Sequence, residues 1–244
     1  MSHLKLKTIY YSTLFLGIVS QLLFFLFLFI GPFKITDLGL SMNQALLFDA
    51  GLSLLFFLQH SVIVRKRVKK RLSNLIPDEL YSAFYSNTSA VPLIIMAIFW
   101  QAVPQTIASA DGIYYWMLRA LFILCIAGFY WGVTSLDSFD PYGVKNIKRL
   151  IYRKEQKSMP MTVKGAYRWM RHPLYFFMLL MIWSYPELTM DRLIFNVLWT
   201  AWIIIGTIME ERDLVACFGD QYRNYRKIVP MIIPYRIPRS TDVF

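Results

Sequence analysis

The sequence has 244 residues, of which 57% are hydrophobic and 17% aromatic, whereas only 17% are charged. A typical soluble domain carries about 25% charged residues, so this composition excludes an ordinary water-soluble domain and indicates a membrane protein. The formal net charge is +11, but the basic residues follow a membrane pattern described below, and we therefore expect no nucleic-acid partner.

Several apolar segments are long enough to cross a bilayer as helices, which takes about 20 residues. The first has no charge and is longer than a signal-peptide core, so we expect it to remain as a membrane helix. The fifth is short for a full span, which predicts a helix that is tilted or partly buried in protein. We predict an all-α fold, a polytopic integral membrane helix bundle of about five to six transmembrane helices with cytosolic amphipathic helices. The predicted spans are 9–30, 45–64, 90–107, 114–136, 174–185 and 193–209.

The basic residues fix the orientation of these spans. They precede the first span, follow the second and fourth in dense runs, and recur in the C-terminal tail, whereas the opposite loops hold only Lys34 and Arg192. The positive-inside rule therefore places both termini in the cytosol, on a face that attracts anionic lipid. Segments 65–80 and 213–228 mix basic and apolar positions, and we predict that both form helices on the cytosolic surface.

The two cysteines, Cys125 and Cys217, are too few for a disulfide framework. The first falls within a predicted span and the second near a helix end on the predicted cytosolic side, so we expect no disulfide. The histidines show no metal-binding spacing, and we expect no metal.

A polar motif, Arg171-His172-Pro173, opens the fifth span. Proline suits the first turn of a helix, where its missing N–H is not needed. The helix N-terminus then adds backbone N–H groups and a positive dipole end to the two basic side chains, which predicts an anion site. An arginine there can hold a carboxylate with two hydrogen bonds.

Three neighbours extend this motif. Gly165 permits a close backbone approach or an unusual dihedral angle, while Tyr167 and Tyr175 offer faces that stack on a base or hold a cation. The alternative is that Arg171 only anchors the chain at the cytosolic face and the tyrosines form an interfacial belt. The whole pattern favours a functional site.

A second polar signature, Glu210-Glu211, closes the sixth span. Acidic residues are unfavourable at a helix C-terminus because the dipole there is already negative. A solvated salt bridge to Arg212 or to nearby basic residues is a sufficient explanation for Glu211. For Glu210 we predict a ligand role, as the anionic partner of an amino group. An anion pocket, a carboxylate and aromatic walls together match S-adenosylmethionine, which joins a zwitterionic amino acid to a further cation and an aromatic base.

The complete pattern resembles the integral-membrane methyltransferase superfamily of isoprenylcysteine carboxyl methyltransferases. The motifs are Gly165-x-Tyr167-x-x-x-Arg171-His172-Pro173-x-Tyr175, then Glu210-Glu211-x-x-Leu214-x-x-x-Phe218-Gly219-x-x-Tyr222-x-x-Tyr225, then Val229-Pro230. Upstream segments are similar to the bacterial methanethiol S-methyltransferases and to related membrane proteins linked to nitric oxide reductase regulation. These segments are Gln59-His60-Ser61, Trp100-Gln101 and Phe139-Asp140-x-x-Gly143.

The resemblance implies which residues hold the cofactor. It assigns backbone contacts to Met161 and Thr162 and a pocket-orienting role to Arg171. The further cofactor contacts that it implies are Tyr167, His172, Leu174, Tyr175 and Glu210. Two positions depart from the family pattern. Phe177 stands where the family often has a glycine that allows close helix packing, and Gly206 stands where the prenylcysteine enzymes have an arginine for the substrate carboxylate.

The resemblance and the missing charge at Gly206 lead to one function. We expect S-adenosylmethionine-dependent methylation of a small lipophilic thiol, such as methanethiol, to a thioether in a bacterial inner membrane, with the cofactor site on the cytosolic side. One alternative acceptor is a prenylcysteine carboxylate or a phospholipid amine, and a third possibility is a non-enzymatic partner of nitrogen-oxide respiration. We expect one integrated domain with a four-span membrane region, 1–136, and a cofactor-binding region, 137–244, that has two spans and a cytosolic C-terminal helix.

The catalytic group stays open between three residues. His60 lies at the cytosolic end of the second span, where a lone histidine is more often structural than catalytic. Asp140 follows the fourth span and either accepts a proton from the thiol or caps the turn at Pro141. Arg171 is the third candidate.

Overall fold

The computed structural model describes residues 2–136, 140–153 and 161–236. In these ranges regular structure is almost entirely helical, which confirms the all-α fold class. A 3₁₀ turn spans Gly165–Arg168, and two short strands, β1 (Thr106–Ser109) and β2 (Glu187–Thr189), pair with each other. The helices are α1 (His3–Ile30), α2 (Met42–Ile63), α3 (Lys66–Leu72), α4 (Asp78–Phe99), α5 (Gly112–Thr134), α6 (Lys145–Ile151), α7 (Pro173–Trp183), α8 (Met190–Phe218) and α9 (Asp220–Ile228).

Five of these helices, α1, α2, α4, α5 and α8, are long and apolar enough to cross a membrane. Large apolar side chains point outward along them, including Phe15 on α1 and Leu124 on α5. Such exposed apolar surface suits a lipid environment and would be a liability in water. The chain is therefore an integral membrane protein.

The third predicted span, 90–107, is wrong at both ends, because α4 runs from Asp78 to Phe99. Pro77 precedes the helix, and Asp78 and Glu79 occupy its first turn, where acidic side chains complement the dipole. The N-terminal half is not apolar throughout, but it buries Tyr81 within the protein. Burial against protein, which a hydropathy window does not register, allows the helix to begin twelve residues earlier.

The two predicted surface helices also have different bounds. The segment 65–80 divides into α3, which ends at Leu72, and the start of α4. The segment 213–228 divides at Gly219, whose φ of 59° ends α8 and precedes α9. Such a φ is costly for residues other than glycine, so Gly219 sets the boundary. Glu210 and Glu211 consequently lie within a continuous helix and not at its end.

The chain contains two compact units, and the first consists of 2–105, 140–153 and 189–195. Its core holds an edge-to-face cluster of Phe27, Trp100 and Phe195, with ring centroids 5.3–5.5 Å apart. The Trp100 indole N–H donates to Asp191 at 3.1 Å, and the Gln101 backbone N–H donates to the fully buried Asp49 at 2.9 Å. Trp100-Gln101 is thus a structural motif that donates to one oxygen of each of two buried carboxylates.

The second unit consists of 106–136, 161–188 and 196–236. β1 precedes α5 and β2 follows α7, and because the strands pair, α7 ends near the start of α5. The 11 residues of α7 give a helix about 16 Å long, roughly half of the hydrocarbon core. The prediction of a short fifth span is confirmed. The assignment of regions 1–136 and 137–244 stays a prediction.

α5 and α7 pack closely although Phe177 stands where the family pattern often has a glycine. A Cβ atom at Gly128 on α5 would collide with the Phe177 ring, and one at Gly132 would lie 2.7 Å from the Leu174 side chain. The glycines that admit the close approach therefore sit on α5 instead of α7. Leu174 consequently packs into this helix contact.

Candidate active site

A buried ion pair between Arg171 and Glu211 forms the centre of the site in the second unit. Arg171 Nε and Nη2 donate to the two oxygens of Glu211 at 2.9 and 3.0 Å. The remaining terminal nitrogen, Nη1, donates to the backbone carbonyls of Arg226 at 3.0 Å and Val229 at 2.7 Å. This two-pronged geometry is the strong form of an arginine–carboxylate contact. The guanidinium of Arg171 is thus bound to the protein itself, which suits the pocket-orienting role.

Three further side chains contact the Glu211 carboxylate. It accepts from Tyr222 Oη at 2.6 Å, lies 2.8 Å from His172 Nε2, and pairs with Arg226 Nε at 3.0 Å. Its side chain is only 5% exposed. The prediction of a salt bridge to nearby basic residues is correct in kind, but the carboxylate is buried and not solvated, because α9 covers it.

Glu210 has a different environment one residue earlier. Its side chain is 44% exposed, and its Oε2 accepts from Tyr175 Oη at 2.7 Å. The His172 ring stacks on the Tyr175 ring with centroids 5.5 Å apart and an interplanar angle of 15°. Burial, and to a lesser extent the negative charge of Glu210, raise the pKa of Tyr167 above its usual range. His172, Tyr175 and Glu210 therefore lie together, and the charge of Glu210 acts on the hydroxyl of Tyr167. Their role as cofactor contacts stays a prediction.

The segment before α7 is held by two hydroxyl groups. Tyr225 Oη donates to the Tyr167 carbonyl at 2.6 Å, and the Ala166 N–H donates to Ser135 Oγ at 3.1 Å. Gly165 has a φ of 52°, and a Cβ atom there would collide with the Ser135 side chain. Both observations require glycine at this position.

The backbone around the motif is tied to the chain that follows α9. The Arg171 N–H donates to the Pro230 carbonyl at 2.9 Å, and the His172 N–H donates to the Met231 carbonyl at 3.0 Å. These two N–H groups of the predicted anion site are therefore paired within the protein. Upstream, Met161 packs against the buried cluster of Tyr222, Tyr225 and Val229, whereas Thr162 is exposed.

His60 and Asp140 belong to the first unit and have structural partners there. Tyr85 Oη lies 2.6 Å from His60 Nε2, and Ser89 Oγ lies 3.2 Å from its Nδ1. Asp140 accepts from the backbone N–H groups of Val144 at 3.1 Å and Lys145 at 2.7 Å, which caps the start of α6. These contacts account for both residues without chemistry, and a catalytic role for either stays a prediction.

Sequence reasoning missed the contributions of Ser135, Tyr222 and Arg226. The last two are four residues apart and share one face of α9. Tyr222 and Tyr225 stand in the motif that carries the resemblance, so the available signal was a search for the acceptors of these two hydroxyl groups, which are Glu211 and the Tyr167 carbonyl.

The family model described as "NnrU protein" matches residues 48–226. The chain belongs to the NnrU protein family. Two curated relatives, both named methanethiol S-methyltransferase, are each 32% identical. The one from Crocosphaera subtropica aligns over 200 residues, 80% of this chain and 77% of that protein. The one from Pseudomonas deceptionensis aligns over 211 residues, 84% and 79%.

Another relative of this NnrU family member is Nurim from Xenopus laevis, 28% identical over 180 residues, 68% of this chain and 61% of that protein. No solved structure gives a significant match. These relatives confirm the resemblance seen in the motifs. The matched range includes Arg171, His172, Tyr175, Glu210 and Glu211.

Proposed function

We propose that this protein is an S-adenosylmethionine-dependent membrane methyltransferase that methylates a small lipophilic thiol, such as methanethiol, to a thioether. The observation that carries the proposal is the half-exposed Glu210 carboxylate, which accepts a hydrogen bond from Tyr175 and lies beside His172. The names of the relatives, methanethiol S-methyltransferase, support the reaction and the acceptor.

The chemistry of these residues fits the proposed cofactor. Glu210 would bind the ammonium group, while the faces of Tyr167 and Tyr175 would contact the sulfonium or the adenine. Met161, Thr162, Gly165 and Leu174 complete the set that would hold it, the first two through backbone atoms. Arg171 would orient the pocket from its buried position.

The bound cofactor would supply a methyl group on a sulfonium, which a thiol accepts with release of one proton to give a thioether and S-adenosylhomocysteine. The task of the protein is then to position the reactants, which is worth roughly 7–11 kcal/mol in well-oriented systems. Rigid anchoring of α7 on α8 through Arg171 and Glu211 serves this task.

Gly206 supports a neutral acceptor over a carboxylate. It occupies the position of the arginine that the prenylcysteine enzymes use, and a Cβ atom there would meet no atom within 4 Å. Space for a side chain exists, so the absence of a charge is not a steric necessity.

Two measurements on detergent-purified protein test the proposal. The first is titration with S-adenosylmethionine; absence of binding by a folded sample would reject the methyltransferase and favour a non-enzymatic role. The second is incubation with S-adenosylmethionine and methanethiol, with dimethyl sulfide measured by gas chromatography. No dimethyl sulfide, together with turnover of a lipid amine or a prenylcysteine, would reject the thiol and keep the cofactor site.

A further inference from the structure

His172 lies between the two glutamates and contacts them unequally. Its Nε2 is 2.8 Å from Glu211 Oε1, whereas its Nδ1 is 3.8 Å from Glu210 Oε2. A carboxylate that is bound by two guanidinium groups only accepts hydrogen bonds, so the short contact requires a proton on Nε2. The long contact exceeds hydrogen-bond distance, and Glu210 Oε2 already accepts from Tyr175. None of the residues in the described ranges places an acceptor within hydrogen-bond distance of Nδ1 that would draw a proton there.

The charged groups around the His172 ring balance one another. Arg171 and Arg226 face Glu211, and Glu210 adds a second negative charge, so two positive and two negative groups balance without His172. Within the part of the chain that the structure describes, four tyrosines also lie around this cluster, and tyrosine hydroxyls are neutral at physiological pH. They are Tyr167, Tyr175, Tyr222 and Tyr225. His172 is only 4% exposed, so solvent does not compete for its nitrogens.

We propose that Glu211 is a positioning residue that holds His172 in the tautomer protonated at Nε2, so that Nδ1 becomes a second acceptor beside Glu210 for the ammonium group of the methyl donor. The identity of this ligand rests on the proposed function, but the tautomer does not. An ammonium group that donates to two acceptors at about 2.9 Å each is compatible with their separation of 3.8 Å. Glu211 itself contacts neither the ligand nor the reacting atoms.

The tautomer can be measured without any ligand, because the chain has only three histidines. Protein labelled with ¹⁵N-histidine is studied in detergent at neutral pH by long-range ¹H–¹⁵N correlation, and the signal of His172 is assigned by its loss in His172→Gln. We expect a neutral ring with the proton on Nε2. A proton on Nδ1, or a doubly protonated ring, would overturn the proposal even if the protein binds S-adenosylmethionine.

A matched pair of ligands separates positioning from a merely structural role. We expect Glu211→Ala, which removes the acceptor of the Nε2 proton, to weaken S-adenosylmethionine binding by about tenfold or more, because Nδ1 no longer accepts a hydrogen bond from the charged ammonium group. Binding of methylthioadenosine, which lacks the amino-acid part, should change much less. Equal losses for both ligands would show that Glu211 only supports the fold and would contradict the proposal.

The control variant for this comparison is Asp220→Ala. It removes an acidic side chain of α9 whose salt bridge to Arg223 is exposed, and it leaves the contacts among Arg171, His172, Glu211 and Arg226 in place. We expect it to bind both ligands within about twofold of the wild-type protein. If Glu211→Ala does not fold, the tautomer measurement on the wild-type protein still decides the proposal.

Discussion

Glu210 and Glu211 are adjacent and chemically identical, yet they occupy opposite environments. Successive residues on a helix point about 100° apart, so one carboxylate faces the aromatic cluster and the other faces Arg171. The first is 44% exposed and the second 5%. The two side chains therefore have separable effects on binding and on stability.

Alanine substitution of each glutamate tests this separation. Glu211→Ala should lower the free energy of unfolding by about 3–5 kcal/mol, because it leaves the charge of Arg171 buried without its partner. Glu210→Ala should cost less than about 1 kcal/mol but should weaken S-adenosylmethionine binding. Denaturant unfolding in detergent and ligand titration measure the two quantities. Equal losses of stability, or unchanged affinity in Glu210→Ala, would contradict these assignments.

The tyrosines of α9 predict an effect of alkaline pH. Burial and the hydrogen bond to Glu211 raise the pKa of Tyr222, and burial raises that of Tyr225. In the unfolded chain a tyrosine loses its proton near pH 10, whereas these two keep theirs in the folded protein. The stability they contribute is thus complete below about pH 10 and falls as the pH rises toward the folded pKa.

We expect the melting temperature to fall above about pH 10, and Tyr222→Phe to show a shallower fall. The variant has no hydroxyl to titrate at this position, although its stability at pH 8 should be lower because Glu211 loses a hydrogen bond. Melting curves of both proteins between pH 8 and pH 11 make the comparison. Parallel curves would show that Tyr222 does not contribute to the alkaline transition.

At the level of helices, apolar runs predicted α1, α2 and α5 to within a few residues at most ends. The start of α4 escaped prediction because its first turns combine the exposed acids Asp78 and Glu79 with the buried Tyr81 and are not uniformly apolar. The candidate site likewise depends on contacts that local sequence patterns do not show. Local motifs predicted Tyr167, His172 and Glu210 as site residues. The Arg171–Glu211 pair, however, joins residues 40 positions apart, and sequence alone does not tell which glutamate the arginine binds.

Two helix-interior glycines make a matched test of helix packing. Gly206→Ala on α8 should raise the free energy of unfolding by roughly 0.5–1 kcal/mol, because alanine favours the helix and the position has open space. Gly128→Ala on α5 makes the same chemical change, but its methyl group would collide with Phe177. We expect that variant to be destabilised by about 1–3 kcal/mol.

Thermal unfolding of both variants in the same detergent supplies the measurement, and the opposite signs are the prediction. A loss of stability in Gly206→Ala would show that α8 is packed more tightly at this position than the structure indicates. A neutral Gly128→Ala would mean that α5 and α7 separate easily, and that Phe177 loosens the packing that the family glycine provides.

At the scale of the whole molecule, the length of α8 connects the membrane to the site. Its 29 residues extend about 43 Å, whereas the hydrocarbon core is about 30 Å thick. The last turns, which carry Glu210 and Glu211, therefore have room to project beyond the lipid. The positive-inside rule predicts that this end lies in the cytosol, where a charged cofactor would be accessible.

The two natural cysteines test this orientation without engineering. Cys217 is exposed near the end of α8, whereas Cys125 is buried within α5. A membrane-impermeant maleimide should label Cys217 in inside-out vesicles and leave both cysteines unlabelled in right-side-out vesicles. Cys217→Ser should abolish labelling until a denaturant exposes Cys125. Labelling of Cys217 in right-side-out vesicles would place the site on the opposite face and would remove the cytosolic supply of cofactor on which the proposed reaction depends.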